Sequence, residues 1–242
     1  LIVVIVIFSL FAASFTISKA MIPYINPFSW DVSLYKLDLR IFSNSLPHVY
    51  FEWLLNSKII LPILELSYQL WFYAYYGTLM YAAYFLHSRR ASICFLLSSI
   101  IAWSFGGIGI ATLFSSAGPI FIDIHGIINY LPHYRVLENG YLFWDSFALS
   151  IQQKLYSLYT NNKITSISAF PSMHVASATL MVILASSISR ALFIAALVFL
   201  CLIFLGSFFL LWHYFVDSAA GVAIGIAAWN VANIFVPASK QT

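Results

Sequence analysis

Long apolar runs make up most of the chain, and charges, prolines and short polar clusters divide them. A helix that crosses a bilayer needs about 20 mostly apolar residues. The runs predict six helices of about this length, at residues 1–18, 59–87, 91–117, 170–188, 191–212 and 214–235. The pattern therefore predicts an all-α, polytopic membrane protein with six transmembrane helices, which form a single domain over residues 1–242.

Two long connections separate these helices. In the first, residues 19–58, aromatic and charged residues mix, and the stretch from Trp30 to Leu55 predicts an amphipathic helix that lies in the membrane interface. The second covers residues 118–169 and carries both basic and acidic side chains. The printed sequence starts inside an apolar run with no basic residue before it, so we expect a truncated N-terminus and a first helix that begins upstream.

The composition agrees with a membrane location and excludes several functions. Only 8% of the residues are charged, against about 25% in soluble proteins. The net charge of +3 is spread along the chain, so no basic stripe is available for a nucleic acid. Cys94 and Cys201 lie in apolar runs and predict neither a disulfide framework nor a zinc site. No His-Glu-x-x-His sequence or comparable carboxylate set occurs, so we expect no metal and no cofactor.

The short basic joints predict the orientation in the membrane. If six helices alternate, Arg89, Arg90, Arg190 and Lys240 fall on one side, where no acidic residue occurs. Basic residues in short loops are typical of the cytoplasmic side. We therefore expect a multi-pass protein of the cell membrane, with both long connections on the extracytoplasmic or lumenal face.

Three polar groupings interrupt the apolar background, at Ser115–Asp123, Ala169–His174 and His213–Asp217. The first ends the third predicted helix, the second opens the fourth, and the third joins the fifth to the sixth. With alternating helices, all three reach the same face of the membrane. This convergence follows from the topology, which rests on charges elsewhere in the chain.

The residue types in these groupings favour phosphoryl chemistry. His213 and Asp217 are spaced i and i+4, so in a helix the carboxylate can orient the imidazole as a nucleophile or general base. Pro171 predicts a helix start, whose free N–H groups attract a phosphate. Ser172 offers a hydroxyl donor, and His174 offers a proton for a leaving oxygen. Each residue alone also has a structural explanation, as an interfacial histidine, a capping hydroxyl or a carboxylate that accepts from a nearby aromatic side chain.

The same residues carry a family resemblance. The segment Phe170–His174, Phe-Pro-Ser-Met-His, resembles the second signature of the type 2 phosphatidic acid phosphatase superfamily of membrane enzymes. Gly206-Ser207, followed by His213 and Asp217, resembles the third signature. The resemblance covers almost the whole chain and implies a six-helix core with its site at one membrane face.

The resemblance also implies roles for single residues. His213 would take up the phosphoryl group as a phosphohistidine, Asp217 would orient it, and His174 would protonate the leaving group. Ser172 and the backbone around Met173 would hold phosphate oxygens.

The chain departs from the usual signatures at their cationic positions. The first signature has a Lys and an Arg, but residues 117–123 contain neither. Ser207 stands where the third signature has Arg, and Met173 stands where phosphatases commonly have Gly. This variant pattern, with Gly118-Pro119 near the third helix, resembles the branch that contains inositol phosphorylceramide synthase and related inositolphosphotransferases.

Several further residues are candidates for binding the substrate. The predicted binding set is Ser172, Met173, Ser207, Gly118, Pro119, Asp123 and Arg135. Arg135, Lys154 and Lys163 are candidates to replace the missing cations, although each also fits a contact with lipid headgroups. Asp123 fits either a polyol acceptor or a solvated loop.

Glu65 and Gln69 form another polar pair, at i and i+4 of the second predicted helix. An ionisable residue at membrane depth is a functional candidate by default. A hydrogen-bonded carboxyl at a packing seam explains Glu65 equally simply.

The sequence thus predicts a membrane enzyme that cleaves a lipid phosphoester through a phosphohistidine and passes the phosphoryl-bearing group to an alcohol. A phosphatase of lipid phosphates or polyprenyl pyrophosphates, with water as acceptor, is the alternative. A non-catalytic lipid-headgroup binder or transporter is a third possibility. Two observations argue against this third possibility. A binder or transporter does not need a nucleophile, its orienting group and an acid together, and the sequence shows no internal repeat or helix broken in mid-span of the kind that transporters use.

Overall fold

The computed structural model describes residues 2–51, 53, 57, 59–121, 147–161 and 166–237, and the regular secondary structure in these ranges is helical. The helices are α1 (Ile2–Ile25), α2 (Asp31–Ile41), α3 (Pro47–Tyr50), α4 (Ile60–Tyr84), α5 (Arg89–Leu113), α6 (Phe147–Thr160), α7 (Met173–Ser186), α8 (Arg190–Phe209) and α9 (Phe215–Phe235). The predicted all-α class is confirmed, while the single domain stays a prediction.

Four helices in the described ranges are long and apolar enough to cross a bilayer: α1, α5, α8 and α9. This confirms a multi-pass membrane protein, but six spans stay a prediction. Helix α4 has 25 residues but a more polar sequence. Helix α7 has only 14 residues, a length of about 21 Å at 1.5 Å per residue, whereas the hydrocarbon core is about 30 Å thick.

Helix α7 lies at the centre of the helices that carry the site, and it packs against α4, α5, α8 and α9. Nine of its residues are buried, and most of these are small, such as Ala176 and Ala178. Small residues let helix backbones approach closely in membrane proteins. On the facing side of α9, a Cβ added to Gly225 would lie 2.8 Å from the carbonyl oxygen of Ala176, and one added to Gly221 would overlap the carbonyl oxygen of Ser172.

Helix α5 changes its winding where it passes the start of α7. It is α-helical over Arg89–Ile101 and π-helical over Ala102–Ile110. Within the π-helix, a Cβ added to Gly107 would lie 2.8 Å from the ring of Phe15 and 3.3 Å from Met173 Cγ. The π-helical segment therefore packs closely on both α1 and α7, and such π-helical insertions often occur at functional sites.

The predicted amphipathic stretch from Trp30 to Leu55 is not one helix. Helix α2 ends at Ile41, and Ser43 and Asn44 adopt left-handed backbone conformations, with φ of 51° and 64°, before the short α3. The buried face of α2 also differs from a simple amphipathic pattern, because it consists of Asp31, Leu34, Tyr35 and Asp38. The two acids point into the protein. A position in the membrane interface stays a prediction.

We expect Gly225→Ala to destabilise the protein by roughly 1–3 kcal/mol, because the added methyl group overpacks the contact between α7 and α9. Gly77→Ala in α4 is a matched control, since nothing lies within 4 Å of an added Cβ there and alanine favours the helix by up to about 1 kcal/mol. Thermal unfolding of the purified variants in detergent measures both effects. Equal stability of the two variants would contradict the close approach.

Candidate active site

Three polar segments that lie far apart in the chain meet at one place. The amide of Ala169 donates to the carbonyl oxygen of Ser116 at 2.8 Å, and the amide of Ser172 donates to the carbonyl oxygen of Asp217 at 3.0 Å. The imidazole Nδ1 of His213 lies 2.8 Å from the carbonyl oxygen of Ala169. The structure therefore brings together the end of α5, the start of α7 and the joint between α8 and α9.

His213 lies in this last joint, just before α9, and the residue is only 7% exposed. Its amide donates to the carbonyl oxygen of Ser207 at 2.9 Å, which ties the joint to the last turns of α8. A carbonyl oxygen only accepts hydrogen bonds, so the contact with Ala169 places the proton on Nδ1. Nε2 is then unprotonated and available as a nucleophile.

Asp217 lies in the first turn of α9, close to His213. Its Oδ2 atom accepts from the amide of Tyr214 at 2.9 Å and lies 3.6 Å from Nδ1 of His213. Because His213 precedes the helix, the pair does not have the i, i+4 geometry expected within a helix, and Ala169 makes the shorter contact. The other oxygen, Oδ1, is buried with no hydrogen-bond partner among the described residues.

His174 is the second residue of α7, and aromatic rings surround it. Its ring stacks on Tyr68, with centroids 4.5 Å apart and planes 22° apart, and lies 4.1 Å from the ring of Trp71. The centroids of His174 and His213 are 6.2 Å apart. Both imidazoles thus line one cavity.

This cavity has a volume of about 340 Å³. Its wall is mostly apolar and aromatic, with contributions from Phe15, Tyr68, Trp71, Trp103, Phe121 and Trp212. Polar side chains on the wall are Lys19, Glu65, Gln69, His174 and His213, besides two serines. A few polar groups in an apolar cleft are typical of a small-molecule site.

Burial, and to a smaller extent the positive charge of Lys19, lower the pKa of His213 to about 3, although the hydrogen bond to Ala169 acts in the opposite direction. The imidazole is therefore neutral across the physiological pH range. A neutral imidazole is the form that a nucleophilic role requires.

The predicted binding residues divide into three groups. Met173 lines the cavity. Ser172, Ser207, Gly118 and Pro119 are buried but do not line it. Asp123 and Arg135 lie outside the described residues.

Three of these four buried residues, Ser172, Ser207 and Gly118, have structural roles instead. The hydroxyl of Ser172 caps α7 by accepting from the amide of Val175 at 3.5 Å. Ser207 donates to the carbonyl oxygen of Phe204 at 2.7 Å and contacts the hydroxyl of Ser218. Gly118 has a φ of 104° and passes close to the carbonyl oxygen of Trp212, a conformation and an approach that favour glycine.

The candidates to replace the missing cations of the signatures also differ in where they lie. Lys154 is exposed on α6 and does not line the cavity, and Lys163 lies outside the described residues. Lys19, which the sequence analysis did not select, does line it. In the sequence, the available signal was a single cation directly after the apolar run of residues 1–18.

Asp31 is a second residue that the sequence analysis did not identify. Its fully buried carboxylate accepts from the hydroxyl of Ser116 at 2.8 Å and from the amides of Ala117 and Gly118 at 2.9 and 2.8 Å. It also accepts from the hydroxyl of Tyr214 at 3.0 Å. Asp31 therefore joins the end of α5 to the turn that carries His213.

Asp38, seven residues further along the buried face of α2, holds the same turn. Its two oxygens accept from the amides of Phe215 and Val216 at 2.9 and 3.1 Å. Burial raises the pKa of Asp38 to about 7, although both hydrogen bonds favour the ionised form. In the sequence, the spacing of seven residues between the two aspartates indicated that both lie on one face of α2.

Glu65 and Gln69, which are spaced i and i+4, form a hydrogen bond in the structure. Glu65 Oε1 accepts from Gln69 Nε2 at 3.3 Å and from the amide of Ala148 at 2.7 Å. Both side chains also lie on the cavity wall. Glu65 is therefore a hydrogen-bonded carboxyl, as the structural explanation has it, and it is also in a position where it can contact a ligand.

Comparison with known proteins agrees with this geometry. The family model of the PAP2 superfamily matches residues 33–231. The chain belongs to the PAP2 superfamily. No curated protein and no solved structure matches it. Members of the PAP2 superfamily are typically phosphatases, so the chain is a membrane enzyme of the phosphatase or phosphotransferase type.

We expect Asp38→Ala to lower the stability of this PAP2 protein by about 1–3 kcal/mol, because two buried amides lose their acceptor. Asp38→Asn keeps one acceptor oxygen and should lose less. Ser33→Ala, at an exposed position of α2, is the control. Thermal unfolding in detergent measures the differences, and parental stability of Asp38→Ala would contradict the role of this carboxyl.

The same variants have an expected pH dependence. The pKa of Asp38 is raised from about 4 to about 7 on folding, so the folded state binds more protons between these values and the parent loses stability as the pH rises through them. Asp38→Asn lacks this titration. Its stability relative to the parent should therefore increase from pH 5 to pH 8, and a constant difference would contradict the raised pKa.

Proposed function

We propose that this protein cleaves a lipid phosphoester through a phosphohistidine at His213 and transfers the phosphoryl-bearing group to an alcohol, as inositolphosphotransferases do. The observation that carries the proposal is the pairing of two histidines on one cavity, with Nδ1 of His213 engaged by Ala169 and Nε2 left unprotonated. A site that only binds a headgroup needs no such pair.

The proposed reaction has two steps. Nε2 of His213 bonds to phosphorus while the bond from phosphorus to the lipid oxygen breaks, and His174, which must enter the step as the imidazolium, gives that oxygen a proton and becomes neutral. The acceptor hydroxyl then attacks phosphorus, gives its proton to His174, and the phosphorus–nitrogen bond breaks. Asp217, 3.6 Å from Nδ1, stabilises the positive charge that the imidazole carries in the intermediate.

The cavity wall supports an alcohol that carries several hydroxyl groups as the acceptor. The hydrogen-bonded pair of Glu65 and Gln69 offers a carboxyl and an amide to hydroxyls. Tyr68 and Trp212 are parallel within 2° and provide flat apolar surfaces for a ring. The variant signature around Gly118-Pro119 and Met173 supports the same branch of the superfamily.

The second candidate function is a phosphatase of lipid phosphates or polyprenyl pyrophosphates. It shares the first step, and water replaces the alcohol in the second. The cavity of about 340 Å³ favours this candidate because it has room for water beside a phosphate.

We also propose that the site opens at the extracytoplasmic or lumenal face of the cell membrane. Arg89 and Arg190 stand at the first residues of α5 and α8, and the opposite ends of both helices lead to the site. Cations in short joints favour the cytoplasmic side, which supports the placement of the site on the other face.

We expect His213→Ala to abolish turnover and the acid-labile phosphoenzyme that a ³²P-labelled lipid phosphate leaves on the parent. Asp217→Asn should lower the rate by roughly 10²- to 10⁴-fold. His87→Ala is a matched control, because His87 is exposed in the joint between α4 and α5. Parental turnover of a folded His213→Ala variant would contradict the nucleophile.

Product analysis by mass spectrometry separates the two candidate functions. The purified protein is given phospholipids and lipid phosphates, with water alone or with inositol, glycerol or ceramide. We expect a new phosphodiester that needs both the alcohol and His213. Inorganic phosphate released without any alcohol would instead favour the phosphatase.

A further inference from the structure

A transferring phosphoryl group needs cations near its oxygens. Negative charge is spread over the non-bridging oxygens in the transition state, and enzymes stabilise it with cations or well-placed N–H donors. Of the Lys and Arg side chains that the structure describes, Lys19 alone lines the cavity that holds His174 and His213.

Helix α1 is fixed in the position that directs Lys19 to this cavity. One turn before Lys19, the ring of Phe15 packs edge-to-face on Trp103 with centroids 4.6 Å apart, and it fills the space beside Gly107. At the end of α1, the side-chain amide of Asn26 donates to the carbonyl oxygen of Thr112 at 2.8 Å. Both contacts join α1 to α5, so they set its position along the cavity.

Lys19 has no hydrogen bond or ion pair within the described part of the chain, although its side chain is partly buried. An ammonium group in a mostly apolar cavity is costly unless an anion accompanies it. Its positive charge already acts at the catalytic position, because it contributes to the lowered pKa of His213. A cavity that Lys19 and His213 both line therefore favours an anionic ligand.

We propose that Lys19 binds the non-bridging phosphate oxygens of the lipid substrate and stabilises their charge during transfer. This inference rests on the proposed function, in which a phosphoester occupies the cavity. Lys19 precedes residues 33–231, the range that matches the family. The cation thus comes from α1 and not from the matched part of the chain.

Binding of a lipid that cannot be cleaved tests this role without any chemistry. The probe is a phosphonate analogue of phosphatidic acid, and diacylglycerol is the uncharged comparison. The variants are Lys19→Met, which removes the charge, Lys19→Arg, which keeps it, and Lys36→Met, which removes an exposed lysine on α2. The full chain is purified in detergent, and thermal unfolding verifies that each variant is folded.

We expect Lys19→Met to bind the phosphonate roughly 10- to 100-fold more weakly than the parent, the range for hydrogen bonds to charged groups. Lys19→Arg should stay within about threefold, and Lys36→Met and all diacylglycerol affinities should stay unchanged. Parental phosphonate affinity in Lys19→Met would overturn the inference. So would a parent that binds the phosphonate no more tightly than diacylglycerol.

A pH profile supplies a readout that a structural role would not move. Removing the positive charge should raise the pKa of His213, so the acid limb of turnover should shift to higher pH in Lys19→Met but not in Lys19→Arg. An unshifted limb would overturn the inference. Failure of the proposed function looks different: no product and no phosphoenzyme would form, while the dependence of phosphonate binding on Lys19 would remain.

Discussion

Buried backbone N–H groups need acceptors, and the two turns that carry the site obtain them from α2. Asp31 accepts from the turn after α5, and Asp38 accepts from the first turn of α9. Each carboxyl in turn is buried only because these donors surround it. The position of His213 depends on this arrangement, since Tyr214 donates to Asp31 and Phe215 donates to Asp38.

The short length of α7 follows from the depth at which the cavity lies. Its first residue, Met173, lies beside the cavity, so the helix begins at the depth of the site. Gly221 and Gly225 then let α9 approach its backbone closely, which brings the amide of Ser172 within hydrogen-bond reach of Asp217. Close packing, rather than a direct contact of their side chains, sets the distance between the two histidines.

The sequence predicted the parts of the structure that depend on local pattern. Apolar runs predicted the helices, and the alternation of these helices across the membrane predicted the convergence of the polar groupings. It did not predict the burial of Asp31 and Asp38, because amphipathic periodicity assigns acids to the polar face. Their donors lie 85 to 183 positions away, and a pattern of period 3.6 contains no information about so distant a partner. For the same reason, the residue types left two roles open for Ser172, a phosphate ligand or a helix cap, and only the structure shows that it caps α7.

The apolar wall of the cavity explains why the few ionisable groups on it are sufficient for the proposed reaction. In an apolar wall, a charge acts over a longer distance than it does in water, so one ammonium group can act on both the phosphate and His213. Under the proposed function, Asp217, whose Oδ2 lies 3.6 Å from Nδ1 of His213, opposes the charge that the imidazole gains when its Nε2 bonds to phosphorus. In the same proposal, negative charge moves from the transferring group to the leaving oxygen, while Lys19 on the cavity wall supplies a positive charge near the phosphate. Transferase and phosphatase then differ only in which hydroxyl reaches the phosphohistidine, and Glu65 with Gln69 on α4 is the polar wall that can discriminate between a polyol and water.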